Sequence, residues 1–343
     1  MISANKVARL QRNDQNLTIS LSGADQRPPG PGEVQIRVLA ASVNFRDLLV
    51  LQNGGGDTKD GLIPLSDAAG IVTAIGEGVQ NWIIGDRVSP TFFAAWRTGP
   101  FRQSYLASAL GGGQTDGVAS SFITACSSAL VAIPDGMLFV EAATLPCAGV
   151  TAWQALFARG DLQPDETVLI QGTGGVALFA LQLAVARGAR AIVLSPSDEK
   201  LEKAKALGAW RGLNYLKRPA WDADVLDLTE GLGADHIIEL GGPETFDRSI
   251  ASVGAGGQIA QIGVLTGFGP TPNLLPLQFK NARIDGVCVG SGEHHADLAA
   301  FMTKSGIHPV VERIFPLEEL AEAYGFLKGA GHFGKIVIDL EGG

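Results

Sequence analysis

Six residues constrain this chain more than any others: Gly172-Thr173-Gly174-Gly175-Val176-Ala177, set between the apolar run Val168-Leu169-Ile170 and an apolar stretch that begins at Leu178. The pattern is G-x-G-x-x-A. The first glycine permits a tight turn, the second lets backbone approach a pyrophosphate, and the small Ala177 lets a helix pack closely on the preceding strand. Unpaired N–H groups at the start of that helix, aided by its dipole, favour an anion. A strand, a glycine turn and an apolar helix in this order predict a parallel βα sheet that binds a dinucleotide. The surrounding sequence supplies the other strands, at 167–171, 190–194, 235–239, 258–262 and 284–289, with a weak one near Leu213. Helical stretches fall between them at about 175–187, 198–207, 222–229 and 244–252. The expected fold of this half is a doubly wound Rossmann sheet of the α/β class.

The end of the second strand selects between dinucleotides, because an NAD site there offers a carboxylate to the ribose 2′-hydroxyl. This chain reads Val193-Leu194-Ser195-Pro196-Ser197. With no carboxylate at the strand end, two hydroxyls and Lys200 nearby, the site is expected to prefer NADP(H) over NAD(H). Ser195, Ser197 and Lys200 are the candidate 2′-phosphate residues, with Tyr215 and Arg218 further candidates for the adenosine end. Asp198 and Glu199 read as helix-start residues. Gly263, Val264 and Gly290 follow the fifth and sixth strands, at the ends where open α/β sheets bind ligands.

The first part of the chain has a different texture. Val34 to Val38 alternates apolar with polar, and Gly70 to Gly76 and Gly85 to Val88 continue as short strands separated by glycines, which predicts an antiparallel β-barrel or sandwich. Residues 91–122 carry Phe92, Phe93, Trp96 and Phe101 among glycines and read as a loop-rich lobe. Phe315 to Lys328 is expected as an amphipathic helix and Lys335 to Ile338 as a last strand that rejoins the first β region. Lys plus Arg number 26 against 35 Asp plus Glu, a net charge of −9, which argues against nucleic-acid and anionic-membrane partners. Cys126, Cys147 and Cys288 lie far apart, with no C-x-x-C pair, and no run of 18 apolar residues occurs. These features lead us to expect a reducing, cytoplasmic setting.

The N-terminal glycine-rich β region, Gly174-Gly175-Val176 followed by Gln182-Leu183-Ala184, and the terminal Gly331-His332-Phe333-Gly334-Lys335-Ile336-Val337 together resemble the medium-chain dehydrogenase/reductase superfamily over nearly the whole chain. Ala41-Ser42-Val43-Asn44-Phe45-Arg46-Asp47 and Pro64-Leu65-Ser66-Asp67-Ala68-Ala69-Gly70 are similar to its quinone oxidoreductase and enoyl reductase branches, and to alcohol dehydrogenase-like chains. The resemblance implies a GroES-like catalytic domain over 1–148 and 292–343, a Rossmann domain over 149–291, an active site in the cleft between them, and a homodimer. By family position it also brings Thr151 to the nicotinamide.

Zinc alcohol dehydrogenases of this superfamily hold a catalytic metal with Cys, His and Cys. At the corresponding positions this chain has Asn44, Ser66 and Cys147, and the lobe that carries four structural cysteines in those enzymes falls within 91–122, where this chain has none. Asn and Ser are poor zinc ligands, so no zinc is expected. Without a Lewis acid to stabilise an alkoxide, acceptors whose charge develops on an enolate or phenolate are favoured. The expected reaction is hydride transfer from NADPH to an enone, an enal or a quinone, on a small apolar substrate. Asn44 is the candidate amide donor, Asp47 its orienting partner, and Ser66 and Asp67 polar neighbours. Phe92, Phe93 and Trp96 suit an apolar pocket and the packing of the loop lobe equally, and Cys147 reads as a small buried residue. Two alternatives stand beside this: a metal-independent alcohol dehydrogenase or carbonyl reductase, and a non-catalytic NADPH-binding protein.

Overall fold

A computed structural model describes residues 5–13, 16–52, 58–267 and 269–341. Its first strands, β1 (Asn5–Asn13) and β2 (Asn16–Ala24), pair with each other as an antiparallel hairpin that the sequence reading lacked. The central strand of the first region is β3 (Glu33–Val43), followed by helix α1 (Phe45–Gln52) and strands β4 (Asp67–Ile75), β5 (Arg87–Pro90), β6 (Phe122–Cys126) and β7 (Leu130–Ala132). β3 alternates buried and partly exposed residues as far as Arg37, then is buried throughout. The change has a structural cause: its first half pairs with β6, its whole length with β4, and its last four residues with the terminal strand. The strands pack so closely that a Cβ on Gly70 of β4 would lie 2.1 Å from the Arg37 carbonyl oxygen. Two short helices, α2 (Phe139–Ala142) and α3 (Val150–Trp153), lead out of this region. Residues 53–57 lie outside the described residues, as does Phe268.

The following strands are β8 (Thr167–Gln171), β9 (Arg190–Ser195), β10 (Arg211–Asn214), β11 (Ala234–Glu239), β12 (Val253–Gln261) and β13 (Arg283–Gly286). Helices α4 (Gly175–Arg187), α5 (Asp198–Ala206), α6 (Trp221–Leu228), α7 (Pro243–Ser252) and α8 (Leu275–Lys280) connect them. All pairings are parallel, in the order β10-β9-β8-β11-β12-β13. In order of appearance this is 3-2-1-4-5-6, the doubly wound dinucleotide-binding order, with its switch point between β8 and β11. Leu169, Ile192, Leu194, Ile237 and Ile259 of the sheet pack with Trp221, Val225, Phe246 and Ile250 from α6 and α7. The fifth strand begins five residues earlier than the sequence suggested, because it runs through Gly254, Gly256 and Gly257, residues that read as turn. The sixth ends at Gly286, so 287–289 are not strand.

The chain then forms α9 (Gly292–Ser305), β14 (Val311–Pro316), α10 (Leu320–Lys328) and β15 (Lys335–Asp339). Phe315, expected in a helix, is in β14, where it is buried against Leu320 and Ile336. β15 pairs antiparallel with β3, Ile336 opposite Val43. The resulting sheet runs β14-β15-β3-β4-β5-β7, with β6 on β3. Accordingly the chain divides into two units, Met1–Val150 with Gly290–Gly343, and Thr151–Val289.

Candidate active site

In the Thr151–Val289 unit the glycine turn takes the form its sequence requires. Gly172 has φ +81°, open to glycine at no cost, and its N–H donates to the Leu194 carbonyl at 2.8 Å, fixing the turn over β9. Ala177 is fully buried, which permits close packing of helix and strand. The α4 ladder starts with Leu178 N donating to Gly174 O at 3.0 Å, so the N–H groups of Gly175, Val176 and Ala177 precede it. Gly174, Gly175 and Val176 keep partial exposure, whereas Thr173 is 6% exposed. Exposed donors at a helix start fit the pyrophosphate of a dinucleotide.

At the switch point a polar lock joins β8 to β11. Gln171 Nε2 donates to Glu239 Oε2 at 2.6 Å, and Gln171 Oε1 accepts from Leu240 N and Gly241 N. Glu239, fully buried, also accepts from Gly241 N, Gly242 N, Thr245 Oγ1 and Ser249 Oγ. Gly263 packs against this loop so closely that a Cβ would lie 2.0 Å from the Leu240 carbonyl oxygen, and Val264 follows it, partly exposed. Glu239 carries no mark in the sequence, where it is a lone acid at a strand end, and only the fold supplies its donors.

The candidate 2′-phosphate residues are placed differently from one another. Ser195 is wholly buried, with its Oγ accepting from Ser197 N at 3.2 Å, so it shapes the turn and turns no hydroxyl outward. Ser197 is the N-cap of α5, its Oγ accepting from Lys200 N. Asp198 lies in the first helical turn, as expected, but is also paired sideways with Lys217 and Asn214 Nδ2, which hold its carboxyl below the usual range. Tyr215 is 37% exposed, and Arg218 pairs with Asp224 at 2.5 Å. Thr151 is buried at 3%. Gly290 belongs to the other unit, where a Cβ would lie 2.5 Å from Val150 Cγ1.

In that unit Asn44, Asp47, Ser66, Asp67 and the Cys147 backbone come together, along with a residue the sequence reading did not single out, Lys335. Asn44 immediately precedes α1; Asp47, in its first turn, reaches back so that Oδ2 accepts from Asn44 N at 2.7 Å, while Asp47 N donates to Asn44 O. Arg46 lies 3.4 Å from Asp47 Oδ1, donates to Leu110 O, and covers the Phe92 ring. Burial pushes the Asp47 carboxyl up to about 6, opposed by Arg46, the Asn44 N–H and Lys335 and reinforced by Asp67. Asp67 opens β4, fully buried, and accepts from Ser66 Oγ at 2.6 Å, Asn44 Nδ2 at 2.9 Å and Cys147 N at 3.1 Å. Lys335 opens β15, and its Nζ donates to Val43 O at 2.8 Å and Asn44 Oδ1 at 2.5 Å. Burial pushes the Asp67 carboxyl up and the Lys335 ammonium down, each charge supporting the other. The Cys147 thiol is raised well above its ordinary range by burial and by Asp67.

Two groups of candidate residues are committed within the fold. Ser66 is fully buried and donates its O–H to Asp67, which leaves no Ser66 hydrogen for an acceptor. Phe92, Phe93 and Trp96 are 6%, 1% and 2% exposed and form a core cluster rather than a pocket wall. The donor chemistry also misfits zinc. An amide tied at both ends to an ammonium and a carboxylate, and a serine hydroxyl donated to that same carboxylate, occupy these positions, and among the described residues no group of three His, Cys, Asp or Glu is placed to hold a metal.

Residues 30–135 match the alcohol dehydrogenase GroES-like domain family, and residues 175–304 the zinc-binding dehydrogenase family. A zinc-type alcohol dehydrogenase-like protein of Schizosaccharomyces pombe is 41% identical, covering 94% of this chain and 97% of its own. Acryloyl-coenzyme A reductase of Metallosphaera sedula is 30% identical over 90% and 93% respectively. A putative alcohol dehydrogenase of Sinorhizobium meliloti 1021, solved by crystallography, superposes with a TM-score of 0.93 at 38% identity, covering 99% of this chain and 100% of that one. A GroES-like unit and a doubly wound sheet with this glycine turn together define a two-domain oxidoreductase. The chain belongs to the medium-chain dehydrogenase/reductase superfamily.

Proposed function

We propose that this oxidoreductase uses no catalytic zinc and, with NADPH, reduces an activated C=C of an enone or enal, or a quinone, in a small apolar substrate. The observation that carries the reading is the tie from Lys335 through Asn44 to Asp67, which commits the side chains that a metal would need. The acryloyl-coenzyme A reductase among the relatives supports a C=C acceptor. Bound NADPH supplies the hydride. The Gly174–Val176 backbone would hold its pyrophosphate, with Thr173 and the Gly263–Val264 segment flanking and Thr151 toward the nicotinamide. Ser197, Lys200 and Tyr215 would form the adenosine end, where Ser195 sets the turn. Asn44 holds an amide N–H for the acceptor oxygen, and Asp47 fixes its backbone.

A homodimer belongs to the same reading: β13 is an edge strand, and the adjacent α8 leaves Leu275 and Phe279 60% and 79% exposed. Among the described residues no helix is long and apolar enough to cross a membrane, which is consistent with the cytoplasmic setting we propose.

The test follows NADPH absorbance with chelator-treated protein, offered a small enone and its saturated ketone in parallel, then NADH in place of NADPH. Consumption of the enone alone, with NADH a much poorer donor, is expected; sedimentation equilibrium of the same preparation should give the mass of two chains. Reaction with the ketone alone would replace the reading by a metal-independent carbonyl reductase. NADPH binding without turnover would leave a non-catalytic binding protein, and a requirement for added zinc would overturn the metal-free site.

A further inference from the structure

Lys335 is 3% exposed, inside a unit whose core needs no cation for packing. Removing an ammonium from water costs several kcal/mol, and a methionine would fill similar space without that cost. Asp67, 0% exposed, poses the same question. Between the two stands one side chain, Asn44, its Oδ1 on the ammonium and its Nδ2 on the carboxylate. An amide is the neutral group that accepts at one end and donates at the other, so its dipole lies along the line of the two charges. Nδ2 carries two hydrogens; Asp67 takes one. Asn44 is also the most exposed of the three, at 7%.

Resting on the reductase reading above, we propose that Lys335 is the cation of the acceptor site: a positioning residue that locks the Asn44 amide and strengthens its remaining N–H as a donor to the acceptor oxygen. The Nζ–Oδ1 bond draws electron density from the amide, so the free N–H donates more strongly. That donor matters most when charge develops on the acceptor. Hydride from NADPH forms the new C–H bond at the β-carbon, the C=C π pair shifts to make a carbon–carbon bond next to the oxygen, and the carbonyl π pair moves onto oxygen as an enolate. A proton from water then restores the carbonyl by adding at the α-carbon, leaving NADP⁺ and the saturated product. An oriented donor at the enolate oxygen lowers the barrier of the first step.

Lys335→Met keeps the volume and removes the charge. Compared with wild type it should bind NADPH within about threefold and lose roughly 10- to 100-fold in kcat with little change in KM, the range found for loss of an oxyanion donor or less. A second readout needs no turnover: affinity of the protein–NADP⁺ complex for 4-nitrophenolate divided by that for neutral 4-nitroanisole. A purely structural lysine would move both affinities together, whereas the anion preference should fall about tenfold if the cation acts as proposed. Asp67→Asn/Lys335→Met removes both charges and relieves the imbalance of the single variant, so it serves if that one fails to fold. Loss of Asp67 alone should favour an anion, and a lower anion preference in the double variant therefore reports the missing cation. An unchanged anion preference in Lys335→Met, or kcat of that variant within threefold of wild type, overturns the proposal, as does an anion preference in the double variant no lower than that of Asp67→Asn alone. Wild type that reduces ketones only, or nothing, defeats the enone reading while leaving the phenolate comparison intact.

Discussion

At the scale of single residues, the buried Asp47 carries a measurable consequence. Its carboxyl is raised from an ordinary 3.8 to about 6, chiefly by burial. Below about pH 4 both the folded and the unfolded chain hold this proton; between about 4 and 6 only the folded chain does. Stability therefore falls as pH rises through that window, and above it the folded state carries the cost of a buried carboxylate. Two pH units correspond to roughly 3 kcal/mol. Asp47→Asn keeps an oxygen for the Asn44 N–H but has no proton to lose, so it should flatten this part of the profile by about that amount. Urea unfolding of both proteins at pH 4, 5, 6 and 7 measures the difference. Parallel stability curves would mean that Asp47 titrates in the ordinary range and that Arg46 and Lys335 fully offset its burial.

At the scale of elements, two glycines separate conformational need from spatial need. Gly172, between β8 and α4, has φ +81° and nothing within 4 Å of a would-be Cβ; Gly70, in β4, sits 2.1 Å from the Arg37 carbonyl by the same construction. Gly172→Ala should cost about 1–2 kcal/mol of stability, the price of a left-handed alanine. Gly70→Ala must separate β3 from β4 and should cost more than about 4 kcal/mol or prevent folding. Thermal unfolding ranks the two, and equal costs would refute the close approach. The glycine turn, α4 and the order of strands and helices from β8 to α7 were legible in the sequence because local pattern decides them: apolar runs of strand length, punctuated by Gly and interleaved with helical periods; α8 and α9 lay outside that reading. β12 was displaced because its glycines carry turn propensity that sheet pairing overrides, and β14 was missed because Phe315 suits either a strand or an apolar helical face.

At the scale of the whole molecule, what the sequence could not disclose is what comes from afar. Asn44, Asp47, Ser66 and Asp67 were visible as motif residues, but Lys335 reaches them only because β15 returns to β3 across 291 positions. No local pattern marks a lysine as internal when its partners lie at the other end of the chain. The same holds for the lobe at 91–122, where the aromatic residues looked equally suited to a pocket. There Trp96 stacks on Tyr105 with ring centroids 6.0 Å apart and meets Phe101 at 5.1 Å and His294, from α9, at 5.9 Å. Its indole N–H donates to Gly99 O, and Gly292 N and Glu293 N bond back to Trp96 O and Arg97 O. An aromatic cluster pinned to a helix start cross-links this lobe from within. Exhaustive chelation should therefore leave the melting temperature unchanged, whereas Trp96→Ala should cost about 3–5 kcal/mol through lost burial and ring contacts. Calorimetry with and without chelator, on wild type and variant, reads both. A melting temperature that drops on chelation and recovers with zinc would show that the lobe relies on a metal after all, and the aromatic cluster would then be packing around it rather than replacing it.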